Sequence, residues 1–317
     1  MERILIIGAN GQIGSELVGA LAQQHGAGNV IASDIGADNV YGAARYTCLD
    51  VLDRDAVAAL IADETITQVY QLAALLSATG EKAPLKAWTL NMDGLLNILE
   101  IARERMEAGK PLKVFWPSSI AAFGPNTPAD APQDAVMDPT SIYGISKLAG
   151  ERLCEYYHAK YGVDVRSIRY PGIISFKSPP GGGTTDYAIA IFHAALKGET
   201  YECFLGPETT LPMIYMPDAI RATIELMDAP AEQVAIRSSY NIAGVSFNPR
   251  ELAAAIQARL PGFRIAYKPD SRQQIADSWP KSLDDSRATG DWGWKARIGV
   301  DEMVSDMLEN VDVGQTA

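Results

Sequence analysis

The chain opens on a short, continuous apolar run, "RILIIG", followed by apolar positions at helical spacing in "QIGSELVGALAQQHG". A run without polar interruption predicts a strand buried on both faces, as in a parallel sheet, and the 3.6-residue period predicts a helix with Gly26 as its stop. The alternation then repeats. "NVIASD" reads as a second strand and "RYTCLDV" as a third, carrying Asp50 and Val51 at its end. "DRDAVAALIAD" reads as a helix, "ITQVYQLAA" as a fourth strand and Leu85 to Met106 as one long helix. "KVFWPSS" gives a fifth strand, "YGISKLAGERLCEYYHAKYG" a helix and "DVRSIRYPG" a sixth strand. Strands alternating with helices for this long predict an α/β fold, a doubly wound parallel (Rossmann) sheet with right-handed crossovers.

After Pro171 the pattern changes. Residues 174–186 are rich in proline and glycine, and a helix follows near Tyr187–Lys197. "TLPMIYMPDAIRATIELMD" reads as strand, turn and helix, and "SSYNIAG" as a further strand. "NPRELAAAIQARLPG" reads as a helix with Asn248 as cap and Pro249 in its first position, and "VDEMVSDMLEN" as the last helix. We expect residues 1–173 to form a nucleotide-binding domain, with 205–243 returning to it. Residues 174–204 and 244–317 would form a smaller C-terminal substrate-binding lobe.

Composition narrows the class only a little. With 47% hydrophobic and 21% charged residues in 317, the chain is an ordinary globular protein with ample core. The net charge of −12 argues against nucleic-acid binding, which needs clustered Lys and Arg. Cys48, Cys154 and Cys203, and His25, His158 and His193, lie far apart, so no metal site is expected and the cysteines read as free thiols. No apolar run is long enough to span a membrane, and no secretory signal pattern opens the chain, so a cytoplasmic protein is expected.

"GANGQIG" places Gly8, Gly11 and Gly14 between the first strand and its helix. There a glycine permits the tight turn, a second lets the backbone approach a pyrophosphate, and a third lets helix and strand pack closely. The helix N-terminus adds unpaired N–H groups and positive dipole. Asp34 ends the second strand about 20 residues on, where a carboxylate accepts from ribose hydroxyls and repels the extra phosphate of NADP. No Lys or Arg follows in "IGADNV". The cofactor expected is NAD. The small residues of "QLAA", Leu72, Ala73 and Ala74 among them, would let it lie against the fourth strand.

"SIYGISK" sets Tyr143 and Lys147 one helical turn apart on a shared face. The fifth strand ends in Ser118 and Ser119. Y-x-x-x-K, an upstream serine and the glycine turn together resemble the short-chain dehydrogenase/reductase superfamily, and a chain of this length resembles its extended branch. The resemblance implies that Tyr143 is the general base and that Lys147 lowers its pKa and holds the nicotinamide ribose. It also implies a serine that orients the substrate oxygen. Ser119 fits best, four residues before Phe123-Gly124, with Ser118 as the alternative. The cofactor contacts implied are Gly8, Gly11, Gln12, Ile13, Gly14, Asp34, Ile35, Asp50, Val51, Leu72, Ala73, Ala74, Asn91, Tyr143, Lys147, Tyr170 and Ile173.

Within that branch, "LAALLSATGE", "VFWPSSIAAFGP", "YGISKLAGE", "RYPGIIS", "PGGGTTDYA" and "ADSWP" with "DDSRATGDWGW" are similar to the short-chain type of L-threonine 3-dehydrogenase. This implies oxidation of L-threonine at C3 to 2-amino-3-ketobutyrate, a homodimer built on the helices near 85–106 and 141–160, and functional coupling to a ligase that consumes the product. Substrate contacts would come from Ser77, Gly80, Ser119, Tyr143, Gly183, Thr184, Thr185 and Trp279. Trp279 closes the pocket or is simply core. Asp186 meets the ammonium or braces the loop. "SPPGGGTTDYA" reads as a hinged substrate loop in which either threonine could touch the substrate. The competing readings are a nucleotide-sugar epimerase or dehydratase, which would need Lys177, Arg237, Arg250 or Arg272 to meet a second pyrophosphate, and a non-catalytic NAD sensor.

Overall fold

The apolar run at the N-terminus becomes β1 (Ile4–Ile7), all four of its residues buried. Ile4 and Ile6 enter one core cluster, Leu5 and Ile7 another on the opposite face of the sheet, as the two-residue strand period requires. Burying one such side chain stabilises by about 2 kcal/mol. The fold is that of a computed structural model, which describes residues 2–37, 45–177, 183–312 and 314.

After β1 come α1 (Gln12–His25), β2 (Val30–Asp34), β3 (Arg45–Cys48), α2 (Arg54–Asp63) and β4 (Gln68–Gln71). Next are the short helices α3 (Ser77–Lys82) and α4 (Pro84–Trp88), α5 (Gly94–Glu107), β5 (Lys113–Ser119) and β6 (Asp130–Ala131). They are followed by α6 (Ile142–Tyr161), β7 (Val165–Tyr170), β8 (Gly172–Ile174), α7 (Tyr187–Lys197), β9 (Thr200–Cys203) and β10 (Leu211–Tyr215). The chain continues with α8 (Met216–Asp228), β11 (Tyr240–Asn241), β12 (Val245–Phe247), α9 (Pro249–Gln257) and β13 (Arg264–Tyr267), and ends with α10 (Arg272–Asp277), β14 (Ser282–Leu283), α11 (Ser286–Trp292) and α12 (Val300–Asn310).

The main sheet has seven strands in the order β11-β7-β5-β4-β1-β2-β3, and every pairing in it is parallel. The doubly wound architecture is therefore as expected. The strand order reverses between β1 and β4, which opens a crevice at the carboxyl ends of the strands. β3 stops at Cys48, short of the expected Val51, because Asp50 closes a turn by accepting from the Leu52 amide (2.9 Å). The long helix expected from 85 to 106 is interrupted. Residues Thr89–Asp93 form a π-turn between α4 and α5, a widened turn of the kind common at functional sites.

The second lobe has its own core, built from α7, α9, α12 and the strands beside them. A small sheet, β12-β10-β8, joins it to the main sheet. α9 carries the expected start: the Asn248 side chain accepts from the Glu251 amide while Glu251 accepts from the Asn248 amide, with Pro249 first in the helix. The cores interleave in sequence. α8 lies under the main sheet, and Ala288 and Trp294, expected in the lobe, pack into that same first core.

Candidate active site

At the crevice, adjoining hollows of ≈ 860 Å³ and ≈ 670 Å³, both open to solvent, share Leu72 and Ala74. The smaller is lined by Gly8, Gly11, Asp34, Ile35, Asp50, Val51, Leu72, Ala73 and Ala74. Gly8 has φ +87°, and a Cβ there would lie 2.6 Å from the Ala73 nitrogen. A Cβ on Gly14 would lie 2.3 Å from the Gly8 carbonyl oxygen, so α1 sits this close to β1 only because Gly14 has no side chain. Gly11 caps α1 without a side-chain bond, which leaves the first-turn N–H groups turned toward the crevice. The Asp34 carboxylate accepts from the Asn10 amide (3.0 Å) and the Ile35 amide (2.8 Å). It thus ties the glycine turn to β2 and still faces the hollow. This cradle of backbone, apolar residues and the Asp34 and Asp50 carboxylates fits the adenosine and pyrophosphate of NAD.

The larger hollow holds the reacting groups. Tyr143 and Lys147 stand on α6, whose start is capped by Ser141 accepting from the Gly144 amide (3.0 Å). α6 lies tight against the chain after β5, since a Cβ on Gly144 would be 2.1 Å from the Ala121 carbonyl oxygen. Ser119 lines the hollow beside Tyr143, where its hydroxyl favours the phenolate, and its Oγ accepts from the Ala121 amide (3.2 Å). Ser118 is turned the other way, its Oγ donating to Glu151 Oε1 (2.6 Å). Among the two serines, Ser119 is the one that meets Tyr143.

Lys147 is buried. Its Nζ donates to the Pro117 carbonyl (2.6 Å) and lies 4.5 Å from the Trp116 ring and 5.4 Å from the Tyr143 ring. Burial lowers the lysine to about 7, opposed by the nearby Cys154 and Glu151. Burial also pushes Tyr143 up to about 12, opposed by the Ser119 hydrogen bond. In the protein alone desolvation holds the tyrosine above its ordinary value, while the Lys147 Nζ is engaged with Pro117 and the indole.

The rest of the wall comes from distant segments. Gln12, Ile13, Ser77, Ile173, Gly183, Thr184, Thr185 and Trp279 all line the larger hollow. Of the proposed substrate loop, residues 178–182 lie outside the described residues. From Gly183 onward the loop is braced, Asp186 Oδ2 accepting from the Gly183 amide (2.7 Å), and Asp186 also lines the hollow. Trp279 does both things considered for it, lining the hollow and packing on the lobe core and on a cluster around Ile120 and Phe123.

Two expected contacts, Gly80 and Asn91, line neither hollow. Gly80 is not on the hollow; its N–H donates to the Leu76 carbonyl (2.7 Å), and its α-carbon faces Ala87 and Ile142. Asn91, carried inward by the π-turn, accepts from the Leu75 amide (2.8 Å) and donates to the Leu75 carbonyl (3.1 Å) and Ser146 Oγ (3.3 Å). It clamps the Leu72–Ser77 stretch to α6 and does not reach the crevice. Tyr170 lines the hollow, but its side chain is in the core, its hydroxyl bonded to Thr223. Gly172 lines the hollow too, though it was not among the expected contacts. A Cβ there would lie 2.3 Å from Met213 Sδ and 2.6 Å from Thr185 Cγ2, so this glycine lets Thr185 press against β8. The signal was the Pro171-Gly172 pair directly after a strand.

The groups that a nucleotide-sugar site would need are already engaged. Lys177 pairs with Glu16, Arg237 with Asp164, Arg250 with Glu208 and Arg272 with Asp270. None of the four lines either hollow. Among the described residues no helix is long and apolar enough to cross a membrane.

Residues 4–243 match the family described as NAD dependent epimerase/dehydratase. The mitochondrial L-threonine 3-dehydrogenase of Bos taurus is 44% identical over 311 residues, which cover 97% of this chain and 82% of that protein. Among solved structures, a GalE-like L-threonine dehydrogenase from Cupriavidus necator in its holo form is 60% identical with a TM-score of 0.95, over 98% of this chain and all of that one. A monomeric L-threonine 3-dehydrogenase from a metagenome is 44% identical with a TM-score of 0.92, over 97% of this chain and 98% of that one.

Proposed function

The chain belongs to the NAD dependent epimerase/dehydratase family, and from that premise we propose that it is an NAD-dependent L-threonine 3-dehydrogenase, oxidising L-threonine at C3 to 2-amino-3-ketobutyrate. The observation that carries this reading is the meeting of Ser119, Tyr143 and Lys147 on one wall of the larger hollow, whose other walls bear the hydroxyls of Ser77, Thr184 and Thr185 and the Asp186 carboxylate. Such a pocket suits a small hydroxy amino acid. It offers no basic cluster to a sugar nucleotide.

NAD+, when bound, supplies the acceptor for the two electrons. Gly8, Gly11, Gly14 and Asp34 would hold its pyrophosphate and adenosine ribose, with Ile13 and Ile173 near the nicotinamide end. Tyr143 takes the proton from the C3 hydroxyl, and Ser119 orients that oxygen. With Tyr143 at about 12 in the protein alone, the phenolate depends on positive charge brought close to it, which confines base strength to the loaded site. Ser77, Thr184 and Thr185 would meet the polar ends of the substrate, and Trp279 would limit water access.

The reading extends to a cytoplasmic homodimer coupled to a ligase that uses the ketone. Leu85, Trp88, Ile145 and Tyr156 are exposed on α4 and α6, Leu85 to 84%. Exposed apolar surface on these helices favours a second copy as its cover, and light scattering of the purified protein at micromolar concentration tests it. The activity itself is tested by NADH absorbance with L-threonine, D-threonine, L-serine and 3-hydroxybutyrate. NADH is expected with L-threonine foremost; its absence would refute the assignment.

A further inference from the structure

We propose that Ser118, with the buried Glu151–Arg169 pair behind it, is a positioning residue that aims Ser119 at Tyr143. The role rests on the reading of Ser119, Tyr143 and Lys147 as the reacting group. Successive strand residues point to opposite faces, so the two serines that end β5 must divide, one toward the hollow and one into the protein. What decides the division is the partner waiting on the inner side.

That partner is Glu151, fully buried one helical turn beyond Lys147. Tyr143, Lys147 and Glu151 thus form one stripe down the face of α6. Ser118 Oγ donates to Glu151 Oε1 at 2.6 Å. Arg169 grips the same carboxylate with both arms of its fork, Nε to Oε1 at 2.9 Å and Nη2 to Oε2 at 2.8 Å. Its remaining arm donates to the Gln133 carbonyl (2.8 Å) and to Asn241 Oδ1 (3.0 Å), and its guanidinium lies 5.3 Å from the Phe123 ring centre. Ser118 and Arg169 are direct partners in the register of β5 and β7. Neighbouring strands therefore hold one carboxylate between them, and that carboxylate belongs to the catalytic helix.

A buried ion pair is a poor stabiliser, because desolvation offsets most of the attraction and apolar residues of the same volume serve as well. What it supplies is direction. The end of β5 cannot roll about its axis without breaking the Ser118 bond, and rolling it would carry Ser119 off the phenol.

The test is a cycle of Ser118→Ala, Ser119→Ala and the double variant, measured as kcat, KM for NAD+ and melting temperature. Ser118→Ala is expected to lower kcat about tenfold, by misaiming a catalytic group, while KM for NAD+ stays within about twofold and the chain stays folded. In the Ser119→Ala background the same change should cost nothing further, because a positioning residue acts only through the group it positions. An unchanged kcat, or an equal loss in both backgrounds, would overturn the proposal. A crystal structure of Ser118→Ala gives a readout apart from turnover: Ser119 turned from Tyr143 supports the proposal, and Ser119 still on the phenol refutes it. If the unaltered protein makes no NADH from L-threonine, the assigned reaction fails, and this structural readout still decides the role of Ser118.

Discussion

The two halves of the crevice are built on different terms. The adenosine half is made of backbone. Gly8, Gly11 and Gly14 lie in one short turn of chain, and Asp34, Asp50 and aliphatic residues supply the side chains. The reacting half is made of side chains drawn from α1, the end of β5, α6, β8, the loop before α7 and the lobe, and its chemistry is set by burial. The first half is a shape that residue types dictate. The second is an electrostatic environment that exists only when distant segments close on it.

The largest test of that contrast is Tyr143→Phe. It removes one oxygen from the reacting half, so kcat with L-threonine is expected to fall about a thousandfold, while NAD+ binding by calorimetry stays near that of the unaltered protein. Retained activity would break the contrast by removing its centre. In the adenosine half, Gly14→Ala and Gly11→Ala should separate fold from ligand. The Gly14 Cβ would meet backbone at 2.3 Å, whereas that of Gly11 meets nothing closer than 3.3 Å. Gly14→Ala is expected to lower both melting temperature and NAD+ affinity, the latter by about ten- to a hundredfold. Gly11→Ala should weaken the cofactor alone. Next in size, Asp34→Ala should shift the ratio of NAD+ to NADP+ affinity toward NADP+ by about tenfold, read by titrating both.

The smallest effect is on stability. The folded chain binds a proton at Lys147 less readily than the unfolded chain, at about 7 against 10.5. The unfolded state therefore carries more protons between those values, and this group's contribution makes stability rise with pH across that window. Lys147→Met should raise the melting temperature at pH 7 by roughly a few degrees, with the gain narrowing toward pH 10, and should abolish turnover. A variant that melts lower at pH 7 would show that the Pro117 bond outweighs desolvation.

Much of this was legible before folding. The glycine turn, Asp34 and the Tyr143–Lys147 pair are read from spacing along single elements, and the structure brings them to the crevice. Side-chain direction was not legible in the same way. Asn91 and Tyr170 sit in segments that border the site, but side-chain direction follows local geometry: a π-turn sends Asn91 to Leu75, and strand alternation sends Tyr170 to Thr223. Gly80 lies in α3, a short helix in a stretch to which the sequence pattern assigned no element.

The amino-acid sequence by itself determined the doubly wound sheet and the cofactor cradle, because apolar runs must be buried on both faces and an absent Cβ is absent in every environment. The tertiary structure alone decided which serine faces Tyr143, that Asp186 ties back to its own loop, and in which direction burial moves the tyrosine and lysine from their ordinary proton affinities. Those properties depend on desolvation and on partners such as Glu151, Arg169 and Thr185, which reach the site only when elements far apart in the chain pack together.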